Sequence, residues 1–288
     1  MLALLPSLTA LPAQQSIPLA GIAHIAIRVK NLDTARAFYQ SLGYEEAFDL
    51  RKDNVPYESF IKINDHQFIE LYPVTPKDPK PQFLHLCFEG DDLQAIRDDY
   101  ASRGLKPTEV KKAGAGNLLF TMPGPPQPLG PEGKPIPQNI EYTQYMPGSR
   151  HSEDFGKHLG VKDNLLSDEG RIAERLLAVA LSVENPAEAR EFYLNDLNFK
   201  PLPGKQTLLH LPGNSGEYVS INSAASQGMV AQIVLETESL SRAERHLKHK
   251  QIAYSKVAKL DGQTSAIMFH DPDGNILFIE AAVIEKQR

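Results

Sequence analysis

The stretch Asn31-Leu-Asp-Thr-Ala-Arg-Ala-Phe-Tyr39 returns as Asn185-Pro-Ala-Glu-Ala-Arg-Glu-Phe-Tyr193, an offset of 154 residues. In a chain of 288 residues, that period predicts two copies of one domain. Each copy carries the same local signals. A strand-like apolar segment stands in front (22–29 and 177–183), followed by an asparagine suited to cap a helix. In the first copy Leu32, Ala35, Phe38, Tyr39 and Leu42 then fall at helical spacing, and Gly43 ends the helix.

The same order appears twice more with little identity. Residues 83–88 precede a helical pattern over 91–103 closed by Gly104, and 230–235 precede one over 240–250. Short apolar runs follow the helices, among them 58–63, 67–72, 118–122, 207–211, 265–269 and 275–279. Each unit therefore reads as βαβββ. Strands following strands within a unit predict an α+β fold rather than a doubly wound parallel sheet. Two units make a domain, which places domain one at 21–147 and domain two at 172–284. The polar stretch 148–171 between them reads as a linker, and its His151 and His158 as part of a solvated connector. The proline-rich segment 123–137 is expected to be irregular, because proline lacks an amide donor and fixes φ.

Composition removes several function classes. Thirty Lys and Arg against 36 Asp and Glu leave a net charge of −6 with no basic run, which speaks against a nucleic-acid partner. The single cysteine, Cys87, rules out an intrachain disulfide and a cysteine zinc cluster. Residues 1–13 are apolar, too short to span a bilayer, and end at an alanine before Gln14-Gln15-Ser16. Residues 1–20 are thus expected to be a leader resembling a signal peptide, although no Lys or Arg precedes the apolar run. The expectation is an exported protein, or a cytoplasmic one if the leader is inert, with no membrane partner.

Strand alternation decides which side chains share a face. In 22–29, Ile25, Ile27 and Val29 take one face, while His24, Ala26 and Arg28 take the other. Leu84, Leu86 and Phe88 similarly oppose Phe83, His85, Cys87 and Glu89. Ile69 and Leu71 oppose Glu70, and Ile140 and Tyr142 oppose Glu141. Each histidine falls in the first strand of its unit and each glutamate in the last. Pairing the units about a pseudo-twofold axis brings His24, Glu70, His85 and Glu141 into one cleft. Two imidazoles and two carboxylates suit Zn, Ni, Fe or Mn, with positions left for water or substrate.

With these residues in view, the chain resembles the vicinal oxygen chelate superfamily, the fold of glyoxalases, bleomycin-resistance proteins and extradiol dioxygenases. The likeness spans nearly all of 21–284, as two tandem domains of paired βαβββ units. It is strongest at Ala23-His24-Ile25-Ala26 with the 31–39 helix, Phe68-Ile69-Glu70-Leu71, Phe83-Leu84-His85-Leu86 and Asn139-Ile140-Glu141-Tyr142. The resemblance implies that His24, Glu70, His85 and Glu141 are metal ligands and that Glu141 also serves as the catalytic base. It further implies a glyoxalase I-like isomerase, lyase or epimerase acting on a small bidentate oxygen substrate through an enediolate-type intermediate. The alternatives are an Fe(II) extradiol-type ring-cleaving dioxygenase and a binding protein without turnover. The resemblance implies that a ring-cleaving dioxygenase would carry a tyrosine shortly before the last glutamate; Phe120 stands near that position here, so the dioxygenase reading loses support.

Further candidates lie on the same faces. Arg28, Tyr72 and Tyr145 are candidate substrate-binding residues, and Cys87 flanks the cleft. The 123–137 segment enters before Glu141 and is expected to overhang the cleft. In domain two, Ala178, about Ser220 and Gln232 replace His24, Glu70 and His85, while Glu280 is aligned with Glu141. One metal site is therefore expected, in domain one. The short connection 73–81 points to a site within one chain, in a monomer or homodimer.

Overall fold

The structure, a computed structural model, describes residues 17–127, 136–152, 170–223, 231–259 and 265–282. Most of the expected leader, the tip of the proline-rich segment and most of the linker, including His158, lie outside the described residues. No described helix is long and apolar enough to cross a membrane.

Four modules of strand, helix and three strands follow one another. The first is β1 (Gly21–Val29), α1 (Leu32–Ser41), β2 (Glu45–Lys52), β3 (Val55–Lys62) and β4 (Phe68–Pro73). The second is β5 (Gln82–Glu89), α2 (Leu93–Ser102), β6 (Lys111–Lys112), β7 (Leu118–Gln127) and β8 (Ile136–Gln144). Then come β9 (Arg175–Val183), α3 (Pro186–Glu191), β10 (Lys200–Leu202), β11 (Lys205–His210) and β12 (Tyr218–Ser223). The last comprises β13 (Gln232–Thr237), α4 (Leu240–His249), β14 (Tyr254–Ala258), β15 (Ser265–His270) and β16 (Ile276–Ala281).

Each pair of modules shares one eight-stranded sheet, in the orders β2-β3-β4-β1-β5-β8-β7-β6 and β10-β11-β12-β9-β13-β16-β15-β14. Within a module the first and last strands pair in parallel, as β1 with β4 and β5 with β8. The modules join through antiparallel β1 and β5. The four strands that carry the predicted site residues are thereby adjacent at the centre of one sheet.

The helices start where their caps place them. Asn31 Oδ1 accepts from Thr34 N at 2.8 Å, and its repeat counterpart Asn185 accepts from Glu188 N at 3.3 Å. Gly43 adopts φ +87°, and a Cβ there would lie 2.7 Å from Arg171 Cα, so this turn requires glycine. After α3 the chain widens into a π-type turn over Phe192–Asp196, which the first copy lacks.

Ile25, Ile27, Tyr39, Leu86 and Tyr142 from domain one join Val179, Tyr193, Ile233 and Leu277 from domain two in one buried cluster. The two domains thus pack through their helix-bearing faces. The repeated tyrosines secure this contact: Tyr39 donates to Asp271 Oδ2 at 3.2 Å, and Tyr193 donates to Gln138 Oε1 at 2.8 Å. Each reaches a residue of the other domain.

Two expectations need correction. The proline-rich segment is not wholly irregular: Pro123 to Gln127 extend β7 and pair with β8, with a register shift between Pro123 and Pro126. The shift accommodates residues that lack an amide donor. Pro126 O accepts from Glu184 N at 3.0 Å, so this arm rests on domain two and does not line the cleft. Phe83 is also displaced from the His85 face. A register irregularity pairs Ile27 with Phe83 but Ala26 with His85, and Phe83 joins the helix-side core.

Candidate metal centre

Alternation and register assemble the centre. His24 on β1 is the cross-strand neighbour of Phe68 and Cys87, and Ala26 of Glu70 and His85. Cys87 is the neighbour of Glu141. Cross-strand neighbours share a face, so all four predicted ligands rise from the same face of β4, β1, β5 and β8. First and second modules of one chain contribute two residues each.

The tightest part is a triplet. One ligand atom from each of His24, His85 and Glu141 lies within 4.8 Å of the others. The Nε2 atoms of His24 and His85 are 3.2 Å apart, and Glu141 Oε1 is 3.4 Å from His24 Nε2. Burial lowers the His24 pKa to about 3 and that of His85 to about 4, which leaves both rings neutral with lone pairs available. Burial also raises the Glu141 pKa.

Glu70 stands beside the triplet rather than within it. Its Oε1 lies 3.2 Å from His24 Nδ1, and its Oε2 lies 3.8 Å from His85 Nε2. Tyr72 donates to Glu58 Oε1 at 2.6 Å and to Glu70 Oε2 at 3.2 Å, tying two buried carboxyl groups together. Burial pushes the Glu58 pKa up to about 7 and raises that of Glu70.

A cleft of about 310 Å³ opens over these groups, lined by Glu58, Glu70, Tyr72, Lys111, Glu141 and His151 among others. A larger cavity of about 680 Å³ lies at the domain junction beside Glu89, Glu217 and Glu236. Its lining includes His66 but none of His24, Glu70, His85 and Glu141.

The remaining candidates fall into place variously. Tyr72 is in the cleft, whereas Arg28 pairs with Asp78 at 3.6 Å and is absent from the lining. Tyr145 stacks on His151 and donates to His66 O at 3.3 Å. Cys87 is buried, and burial holds its thiol well above the ordinary range, as in an inert core cysteine. His151 corrects the connector reading: it is 4% exposed and belongs to the cleft wall. Glu58 was equally unexpected, although its place two residues before Phe60 on a strand opposite Glu70 follows from the alternation.

Domain two departs further from a site than its sequence alignment suggests. Ala178, Ser220 and Gln232 do occupy the positions of His24, Glu70 and His85. The Glu141 position, however, is Phe278. Val234 pairs with Phe278 as Cys87 pairs with Glu141, so Glu280 sits two residues further along. Ala178, Val234, Leu208, Tyr218 and Phe278 fill the region with apolar contacts. Glu280 is buried near Lys259, whose Nζ lies 3.8 Å from Oε2 and donates to Ala281 O at 2.8 Å.

Residues 23–121 match the family described as the glyoxalase/bleomycin resistance protein/dioxygenase superfamily. The fold is similar to that of the Mn(II)-bound glyoxalase from Novosphingobium aromaticivorans, at 18% identity and a TM-score of 0.64 over 92% of this chain and 82% of that one. It is also similar to the 2,3-dioxygenase LapB from Pseudomonas sp. KL28, at 17% identity and a TM-score of 0.66 over 92% and 93% of the two chains. Homoprotocatechuate 2,3-dioxygenase from Brevibacterium fuscum gives 15% identity and a TM-score of 0.61 over 92% and 81%. No curated protein matches the chain.

Proposed function

We propose that this chain, whose first domain belongs to the glyoxalase/bleomycin resistance protein/dioxygenase superfamily and whose second repeats the fold, is a divalent-metal-dependent enzyme. Its substrate is a small molecule presenting two adjacent oxygens. The observation that carries this reading is the convergence of two neutral imidazoles and a carboxylate at the centre of the first sheet.

The donor set fits an ion. Two nitrogens each about 2.1 Å from a shared octahedral ion lie roughly 3 Å apart, close to the 3.2 Å between His24 Nε2 and His85 Nε2. His24, His85 and Glu141 would hold it; Glu70 Oε1, 3.2 Å from His24 Nδ1 but without hydrogen-bond geometry to it, would turn to orient His24 or close in as a fourth ligand. Zn, Ni, Fe and Mn all suit such donors. A bound ion supplies Lewis-acid polarisation of the substrate oxygens.

The reaction we assign is proton transfer next to a carbonyl, as in a glyoxalase I-like isomerase, lyase or epimerase. Support comes from the carboxylates grouped around the cleft. In this reading Glu141, which lines the cleft, takes a proton from substrate carbon, and Glu70 and Glu58, joined by Tyr72, hold or return one. Domain two contributes no second centre among the described residues and supports the first domain from behind.

One observation favours a second reading. Two histidines and one carboxylate, with Glu70 beside His24 Nδ1, have the donor composition that Fe(II) oxygenases use and would hold such an ion. Protein loaded separately with Mn, Ni, Zn and Fe(II) would be assayed with a hemithioacetal in D2O and with catechols under an oxygen electrode. Solvent deuterium at the substrate carbon without oxygen uptake is expected. Fe(II)-dependent oxygen uptake with catechols would replace the isomerase reading. Stoichiometric binding that survives chelation, without turnover, would leave a binding protein.

A further inference from the structure

We infer that His151 is a substrate-contacting residue, hydrogen-bonding an oxygen of a small bidentate oxygen anion of the hydroxy- or oxo-carboxylate class held in the cleft. This rests on the proposed metal site, because the ion fixes the other end of such a ligand.

His151 is held by a structured turn after β8. Arg150 N donates to Ala115 O at 2.8 Å and Ser152 N to Ser149 O at 3.0 Å, while the Arg150 guanidinium sits 4.5 Å from the Phe48 ring centre. The imidazole stacks on Tyr145 at 4.6 Å and meets Phe48, Phe60 and Phe68 edge-on at 5.1, 5.2 and 5.0 Å. Its orientation is therefore set by packing.

Both ring nitrogens are buried without a hydrogen-bond partner among the described residues, although the side chain lines the cleft. A phenylalanine would complete the aromatic wall without that desolvation cost. By contrast, Glu58, Glu70 and Tyr72 are bonded to one another. Asn117 Oδ1 is the other buried side-chain lining atom without a hydrogen-bond partner among the described residues. A neutral imidazole offers one donor and one acceptor, which suits a hydroxyl or carbonyl oxygen.

The charge class follows from β6. Lys111 pairs with Leu119, two residues from Thr121, the neighbour of Glu141, so Lys111 shares the site's face. Lys111 and Lys112 line the mouth and are exposed, and the Lys111 charge acts on Glu141 within the cleft. An anionic group is what they would hold.

The test uses full-length protein loaded with Zn, oxalate as probe, and calorimetry with ring-nitrogen NMR of His151. Metal content is measured for every protein. His151→Phe should retain the metal, melt no lower than wild type and bind oxalate on the order of three- to tenfold more weakly, the worth of one hydrogen bond. His151→Gln should recover part of the loss, and oxalate should shift the His151 ring resonances in wild type. Unchanged oxalate affinity in His151→Phe, or unmoved ring resonances, would overturn the assignment. Wild type that holds metal but not oxalate would overturn it alone, whereas wild type that holds no metal would remove the underlying site as well.

Discussion

Glu58→Gln removes a carboxyl group that is 9% exposed and bonded to the Tyr72 hydroxyl. Burial raises its pKa from 4.5 to about 7 in the metal-free fold. Between those values the folded state binds more protons than the unfolded one, so stability falls as pH rises. The stability is fully present below the unfolded value and is lost through the folded one. From pH 5 to 7.5 this one group removes about 2–3 kcal/mol, because stability falls by ~1.36 kcal/mol per pH step while the two states differ by a full proton. Urea denaturation of chelated wild type and variant at both pH values measures it. The variant should gain that amount relative to wild type at the higher pH, and a divalent ion should reduce the wild-type slope by offsetting the buried negative charge. Parallel pH dependence in the two chelated proteins would refute the reasoning, since Glu58 would then ionise as freely in the fold as in the unfolded chain.

Glu70→Gln should weaken metal affinity roughly 10- to 100-fold if Glu70 acts by orienting His24, and a competitive metal titration distinguishes this from abolished binding. Lys259→Met should cost on the order of 3–5 kcal/mol by breaking a buried ion pair, read by urea denaturation, with metal content unchanged because Glu280 is not at the Glu141 position. Adding Glu280→Gln should recover part of that loss. Gln67→Leu should lower stability by about 3 kcal/mol or more, at about 1 kcal/mol per lost bond. Its amide joins both domains by bonds to Ile22 O, Leu176 N and O, and Glu217. A melting temperature equal to wild type would show that these bonds do not hold the interface.

The four-module architecture was legible because the helix caps and the 154-residue repeat are local signals that the tertiary structure preserves. The central residues were legible because alternation has period two and each lies on a regular strand. Where the backbone breaks that regularity, the reading fails. The irregularity at Leu84 turns Phe83 to the core, and Phe278 displaces Glu280 because only pairing with β13 sets the register. The Ile-Glu identity at 279–280 is coincident in type, not in position. His151 had no periodic signal at all: its burial depends on Phe48, Phe60 and Phe68 arriving from three other strands.

The centre and its support are divided between the two domains in a physically coherent way. Domain one spends its central strand face on polar and ionisable groups, which pack poorly without a ligand. Domain two fills the equivalent face with Ala178, Val234, Tyr218 and Phe278 and shares the interdomain core.

Elemental analysis of protein purified without added metal, beside a His24→Ala/Glu141→Ala double variant, tests the central claim. The account predicts about one equivalent of a first-row divalent metal, as a single site of this donor type would hold, and its loss in the variant. A folded wild type that holds no metal even after reconstitution, or a variant that retains it, would contradict the account.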